Sequence, residues 1–185
     1  MSAYNSSSPA FCPPLLLPFC LLNRTDRLVV RRSEARDRPT FIDLFASPEV
    51  GANIGGAQKR DDLDRTMPEL PGQRPGLFVV ELDSVMIGMI TLEPRDDKRS
   101  GPYLSGAFEL GYLFLPSAWG HGHAAKTCAA LLARFAEAQR TTPVVLYTQS
   151  ANERSMRLAV KLGFTEIERF EAYGAEQWFG RWTLL

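Results

Sequence analysis

Residues 108–124 read FELGYLFLPSAWGHGHA. Phe108 to Leu115 is an apolar and aromatic run of strand length, and Pro116 ends it. Beyond the loop, Ala124, Cys128, Leu131, Leu132 and Phe135 recur at i, i+4, i+7, i+8 and i+11, one face of a helix. The segment therefore predicts a strand, a glycine loop and a helix whose apolar face packs on a sheet. Trp119-Gly120-His121-Gly122-His123-Ala124 is that loop. Backbone N–H groups at a helix start, with the dipole behind them, suit phosphate, and glycine removes the Cβ that keeps a ligand off the backbone. Each charge-assisted bond there contributes about 1.5 to 3 kcal/mol. The same glycines also serve a tight turn, and the local pattern leaves both readings open. No Lys-Ser or Lys-Thr stands directly after Gly122, which excludes a Walker loop, and the spacing is not GxGxxG.

Working outward, Val144 to Thr148 predicts a strand, Glu153 to Leu162 a helix closed by Gly163, and Phe164–Phe170 and Trp178–Leu184 two more strands. Upstream, Leu28 to Val30 predicts a short strand. Ser33 or Asp37 can cap a helix with apolar face Phe41, Ile42, Leu44 and Phe45, with Pro39 in its first turn and an end near Pro48. A polar helix follows around Gln58 to Arg65. Leu77–Leu82 and Val85–Leu92 flank Asp83 and Ser84 as a hairpin. Hairpins followed by strand-helix-strand crossovers imply an α+β fold whose sheet is antiparallel first and partly parallel later.

The chain has 185 residues, which predicts one domain, taken as residues 25–185. Residues 1–24 carry Arg24 as their sole charge and four of the 13 prolines, and read as a flexible or loosely packed tail. Leu15 to Leu22 contains Pro18 and is shorter than the ~20 residues of a spanning helix, so no membrane partner is expected. Lys plus Arg and Asp plus Glu each total 21, which removes the electrostatic basis of nucleic-acid binding. The three cysteines, Cys12, Cys20 and Cys128, form neither a disulfide framework nor a zinc ribbon, and fit a cytoplasmic protein. His121 and His123 lack a third ligand, so no metal is expected.

The loop has two companions: Glu109-Leu-Gly111-Tyr112 before it, and NERSMRLAVKLGF at 152–164 after the next strand. In this order and spacing they resemble the GNAT superfamily of acetyl-CoA-dependent N-acetyltransferases. The likeness is to the RimJ/RimL-like (ribosomal-protein N-terminal acetyltransferase) branch, whose opening TxRLxxR is matched by Thr25, Arg27, Leu28 and Arg31. The resemblance implies a mostly antiparallel, splayed sheet flanked by helices. It implies acetyl-CoA as donor, with pantetheine on the strand at Leu113, Phe114 and Leu115 and pyrophosphate on the loop from Gly120 through His121, Gly122 and His123 to Ala124. Trp119 stands where the family pattern often has Arg or Gln, so one side-chain contact to phosphate is missing. Asn152 resembles the residue that bonds the pantetheine arm. The Tyr that many members place seven residues later is Ala159 here.

Acetyl transfer to an amine needs a neutral nucleophile, a donor for the carbonyl oxygen and a route for the thiolate to leave. The resemblance places Glu109 beside the thioester as a base, against the plain reading of a solvated strand acid. Ser155 is the hydroxyl offered in place of the Tyr, against the plain reading of a residue at a helix start. Cys128 reads as packing. The acceptor is a primary amine, either a protein N-terminal α-amine or a small molecule, and the protein is a monomer or homodimer. A non-catalytic acetyl-CoA-binding module of the same fold is the alternative. The loops at 47–56, 94–106 and 172–177 are expected to shape the acceptor pocket.

Overall fold

The computed structural model describes residues 27–96, 104 and 106–182. Residues 1–24, with Cys12 and Cys20, lie outside the described residues, as do Thr25 and most of the 94–106 loop. Strands β1 (Leu28–Arg31), β2 (Leu77–Leu82), β3 (Val85–Pro94), β4 (Phe108–Phe114), β5 (Val144–Gln149), β6 (Phe164–Ala172) and β7 (Ala175–Trp182) form one sheet in the order β1-β2-β3-β4-β5-β7-β6. Every pairing is antiparallel except β4 with β5. That parallel pairing holds at two positions, Phe108↔Val144 and Glu109↔Val145. Beyond them β4 stays on β3 as far as Phe114, and β5 stays on β7 as far as Gln149. The sheet thus opens as a cleft with Glu109 at its apex, which is the splay that the resemblance implied.

Helix α4 (His123–Ala138) is the crossover that a parallel β4–β5 pair requires. It buries Cys128, Leu131, Leu132 and Phe135, the face read from the periodicity. Phe135 meets Phe108 of β4 with ring centroids 4.9 Å apart. Burial pushes the Cys128 thiol far above its ordinary range, as befits a packing residue. Helix α5 (Glu153–Lys161) follows β5 and lies against the same face. The opposite face is covered by α1 (Arg38–Ala46) and α2 (Pro48–Gly51), whose Phe41, Leu44 and Val50 pack on Leu77, Val79 and Met89. A third helix, α3 (Arg60–Thr66), lies beside α1.

Asp83 and Ser84 have φ of 48° and 70°, the paired positive values of a type I′ turn, so the hairpin forms without glycine. Asp37 stands at the start of α1 but does not cap it with its side chain. Its carboxylate instead takes two bonds of 2.7 Å from Arg31 and one of 2.7 Å from the Glu34 N–H. Arg31 also donates to Glu81 at 2.7 Å, which ties β1 and β2 to the turn before α1. Ser33 is no cap either: its hydroxyl donates to the Pro71 carbonyl. The segment 172–177, expected as a loop, is mostly strand. Tyr173 and Gly174 form a tight turn, and Ala175 to Gln177 are already β7, with Gln177 opposite Gln149.

Candidate active site

The strand alternation of β4 divides the cleft. Leu115 donates its N–H to the Ile87 carbonyl at 2.9 Å, and Phe108 donates to the Pro143 carbonyl on the β5 side, also at 2.9 Å. Odd-numbered residues of β4 therefore turn their backbone groups toward β3, and even-numbered residues turn theirs toward the cleft. Leu113 and Leu115, expected with Phe114 along the pantetheine, thus turn their backbone groups toward β3, whereas those of Leu110, Tyr112 and Phe114 face the opening. The Phe114 carbonyl accepts the Trp119 indole N–H at 2.8 Å. Trp119 is thus a brace between strand and loop, a role its letter alone did not disclose.

The loop presents open backbone at a helix start. Gly120 and Gly122 have φ of 80° and 76°, and a Cβ placed on either would meet nothing within 4 Å, so open space lies in front of this backbone. Gly122 occupies the N-cap of α4, whose first intrahelical bond runs from Lys126 N–H to the Gly122 carbonyl at 3.0 Å. The N–H groups before Lys126 are those a helix start leaves to a ligand or water. His121 and His123 stack with centroids 5.6 Å apart. Partial burial, then the positive neighbours His121, Arg27 and Lys126, hold the His123 imidazole below its ordinary range. The Arg154 guanidinium, from the first turn of α5, lies 5.0 Å from the centre of the Trp119 ring. A cation is thereby returned to the neighbourhood of position 119 from a different element.

The two candidate catalytic side chains leave β4 on opposite faces. Glu109 projects to the α1 face, where Arg95 Nη1 donates to its Oε2 at 2.7 Å. The Arg95 side chain is 4% exposed and that of Glu109 15%. The guanidinium is framed by Phe179 and Tyr147, at 5.1 and 5.8 Å from the ring centres, and Phe170 closes the aromatic group. Glu109 is therefore not the solvated acid of the plain reading. Gly111, next on this face between Glu109 and Leu113, lies against Thr91 of β3, whose Oγ1 is 2.6 Å from where a Cβ would stand.

Tyr112 projects to the α4 and α5 face. Its hydroxyl lies 2.8 Å from Ser155 Oγ and 3.3 Å from the Ser155 carbonyl oxygen. Asn152 is the N-cap of α5, and its side-chain oxygen accepts the Ser155 N–H at 3.2 Å. Ser155 is held twice, by its own helix and by β4 across the cleft. Ala159, where many members have Tyr, is fully buried and carries no hydroxyl. Arg95, Tyr112 and Arg154 are the residues that sequence reading missed as site members. Tyr112 alone carried a signal, since it stands in the quoted Glu-Leu-Gly-Tyr motif.

Among the described residues no three His, Cys, Asp or Glu come together to hold a metal ion, and no helix is long and apolar enough to cross a membrane. The family model described as an acetyltransferase (GNAT) domain matches residues 27–165. The fold is similar to that of a GNAT-family acetyltransferase from Bacillus anthracis, with a TM-score of 0.70 and 19% identity over 87% of this chain and 96% of that one. It is also similar to RimL, the ribosomal L7/L12 alpha-N-protein acetyltransferase, in complex with coenzyme A (TM-score 0.68, 14% identity, 87% and 96% covered). A third similar structure is the aminoglycoside acetyltransferase AAC(6')-Ib in complex with coenzyme A (TM-score 0.67, 16% identity, 84% and 94% covered). These likenesses concern the fold, while the family model spans well over half of the sequence and includes the cleft, the glycine loop and α5. The chain belongs to the GNAT family of acetyltransferases.

Proposed function

We propose that this enzyme moves the acetyl group of acetyl-CoA to a primary amine by direct attack of the amine on the thioester, as a RimJ/RimL-like N-acetyltransferase. The observation that carries this reading is the splayed cleft, with a carboxylate on one face of β4 and a hydroxyl pair on the other. The donor fits the residues present. The Gly120–Ala124 backbone offers N–H groups to the pyrophosphate, with Trp119 bracing the loop, and the cleft-facing backbone of Tyr112 and Phe114 offers a strand edge to the pantetheine. Asn152 has its oxygen engaged in the cap and its amide N–H₂ to offer that arm.

Glu109 takes the proton from the attacking amine on the α1 face, directly or through one water. For an α-amine with pKa near 8, reaching the neutral form at pH 7 costs about 1.4 kcal/mol, against about 4.6 for a lysine-like amine near 10.4. The base thus matters less for an α-amine. Ser155 donates a hydrogen bond to the sulfur as the carbon–sulfur bond breaks, and the thiolate takes its proton from solvent. The acceptor class is a protein N-terminal α-amine or a small-molecule amine. Turnover of acetyl-CoA against peptides, amino acids, aminonucleotides, aminoglycosides and polyamines tests the reading. Coenzyme A binding without turnover of any of these would make the chain a non-catalytic acetyl-CoA-binding module.

A further inference from the structure

We infer that Tyr112 is a positioning residue that aims the Ser155 hydroxyl at the sulfur of the departing coenzyme A. This rests on the reading of Ser155 as the donor to that sulfur. The two hydroxyls are 2.8 Å apart, and either can donate to the other. In one arrangement Ser155 donates to the phenol oxygen and the phenol donates to the Ser155 carbonyl, at the longer distance of 3.3 Å. In the other, the phenol donates to Ser155 Oγ, and the serine proton is released for a third partner. An anionic sulfur selects the second, because a charge-assisted bond is roughly twice as strong as a neutral one and donors in a chain polarise one another.

The geometry favours this relay over a simple tether. Tyr112 stands on the β4 arm and Ser155 on α5, which follows the β5 arm, so the pair spans the cleft where the backbone of Tyr112 faces the opening. Burial holds the phenol well above its ordinary range, only partly offset by the bond to Ser155. Tyr112 therefore keeps its proton and acts as a hydrogen-bond donor rather than an acid. The other titratable neighbour is Cys128 of α4, whose thiol burial keeps neutral. Without the phenol, a serine in the first turn of a helix turns its hydroxyl to a carbonyl of its own backbone. No bond of Tyr112 is made or broken in the reaction: the C–S bond electrons stay on sulfur, and both hydroxyls retain their protons.

The test needs no acceptor. The thiol pKa of bound coenzyme A is titrated by the ultraviolet absorbance of the thiolate, in the wild type, Ser155→Ala, Tyr112→Phe and the double variant. In the wild type the bound thiol should ionise about one pH unit below free coenzyme A, as one charge-assisted bond implies. Ser155→Ala should abolish the depression. Tyr112→Phe should reverse at least half of it. In the Ser155→Ala background Tyr112→Phe should add nothing. A wild-type thiol pKa in Tyr112→Phe, or additive effects in the double variant, overturns the relay and leaves Ser155 in place. A wild-type thiol pKa in Ser155→Ala overturns Ser155 as the donor and the relay with it.

Discussion

Glu109→Gln removes more than the proposed base. The carboxylate faces a guanidinium that is 4% exposed and framed by Tyr147 and Phe179, so the variant deletes one partner of a largely buried ion pair. Such deletions cost about 3 to 5 kcal/mol, and the 15% exposure of Glu109 places this one near about 3. In a domain of this size each kcal/mol moves the melting temperature by about 2–4 °C, so a fall of roughly 6–12 °C is expected. Arg95→Met with Glu109→Gln replaces both charges and should restore most of that loss. The rate should not follow. Without the base, turnover near neutral pH should fall about 10²- to 10⁴-fold in the single and the double variant alike. Recovery at high pH should begin earlier for an α-amine, with pKa near 8, than for a lysine-like amine near 10.4. Thermal melts and thiol-release kinetics across pH, with the acceptor found by the amine panel, supply both readouts. A double variant that regains rate together with stability would refute the base and leave Glu109 a structural partner of Arg95.

Gly122→Asn tolerates the left-handed backbone and puts a side chain in the open space before α4; coenzyme A affinity by calorimetry should drop about tenfold, and unchanged affinity would remove the loop from the site. Arg154→Ala should weaken coenzyme A about threefold to tenfold at low salt while sparing pantetheine, whereas an equal loss for both would mean that Arg154 only supports Trp119. Asp37→Asn should cost about 3–5 kcal/mol by chemical denaturation, because it breaks the Arg31 clamp. Burial alone would raise the Asp37 pKa, but the bonds from Arg31 and the Glu34 N–H outweigh it and hold the carboxyl below the ordinary range. Its stabilisation is therefore present above the unfolded value of about 3.9 and is lost as pH falls through the lower folded value, so Asp37→Asn should flatten the acid limb of the wild-type stability profile. An Asn variant with the wild-type acid limb would show that other carboxylates set it.

The elements that stand on local signals were legible in the sequence. The α4 face follows from the 3.6-residue period, the β2–β3 hairpin from two apolar runs a turn apart, and the loop from two glycines at a helix start. Ala175–Gln177 was read as loop because Ala, Glu and Gln are poor strand formers; pairing with β5 and β6 on both sides overrides that preference. The contacts of the site are distant in sequence. Arg95 reaches Glu109 across 14 residues and Tyr112 reaches Ser155 across 43, and no periodicity encodes either. The strand at Leu113, Phe114 and Leu115 is legible in the sequence but its phase is not; the Leu115 to Ile87 and Phe108 to Pro143 bonds reveal it.

That phase couples two chemistries to a single count. Glu109 and Tyr112 are an odd number of residues apart, so one pleated strand delivers a carboxylate to one side of the sheet and a phenol to the other. Insert or delete one residue between them and both land on the same side, so that on the proposed mechanism the relay would lose its phenol or the acceptor its base. The interval can change only in steps of two. Point substitutions along β4 leave the two-sided layout in place, whereas a length change of one residue there abolishes it.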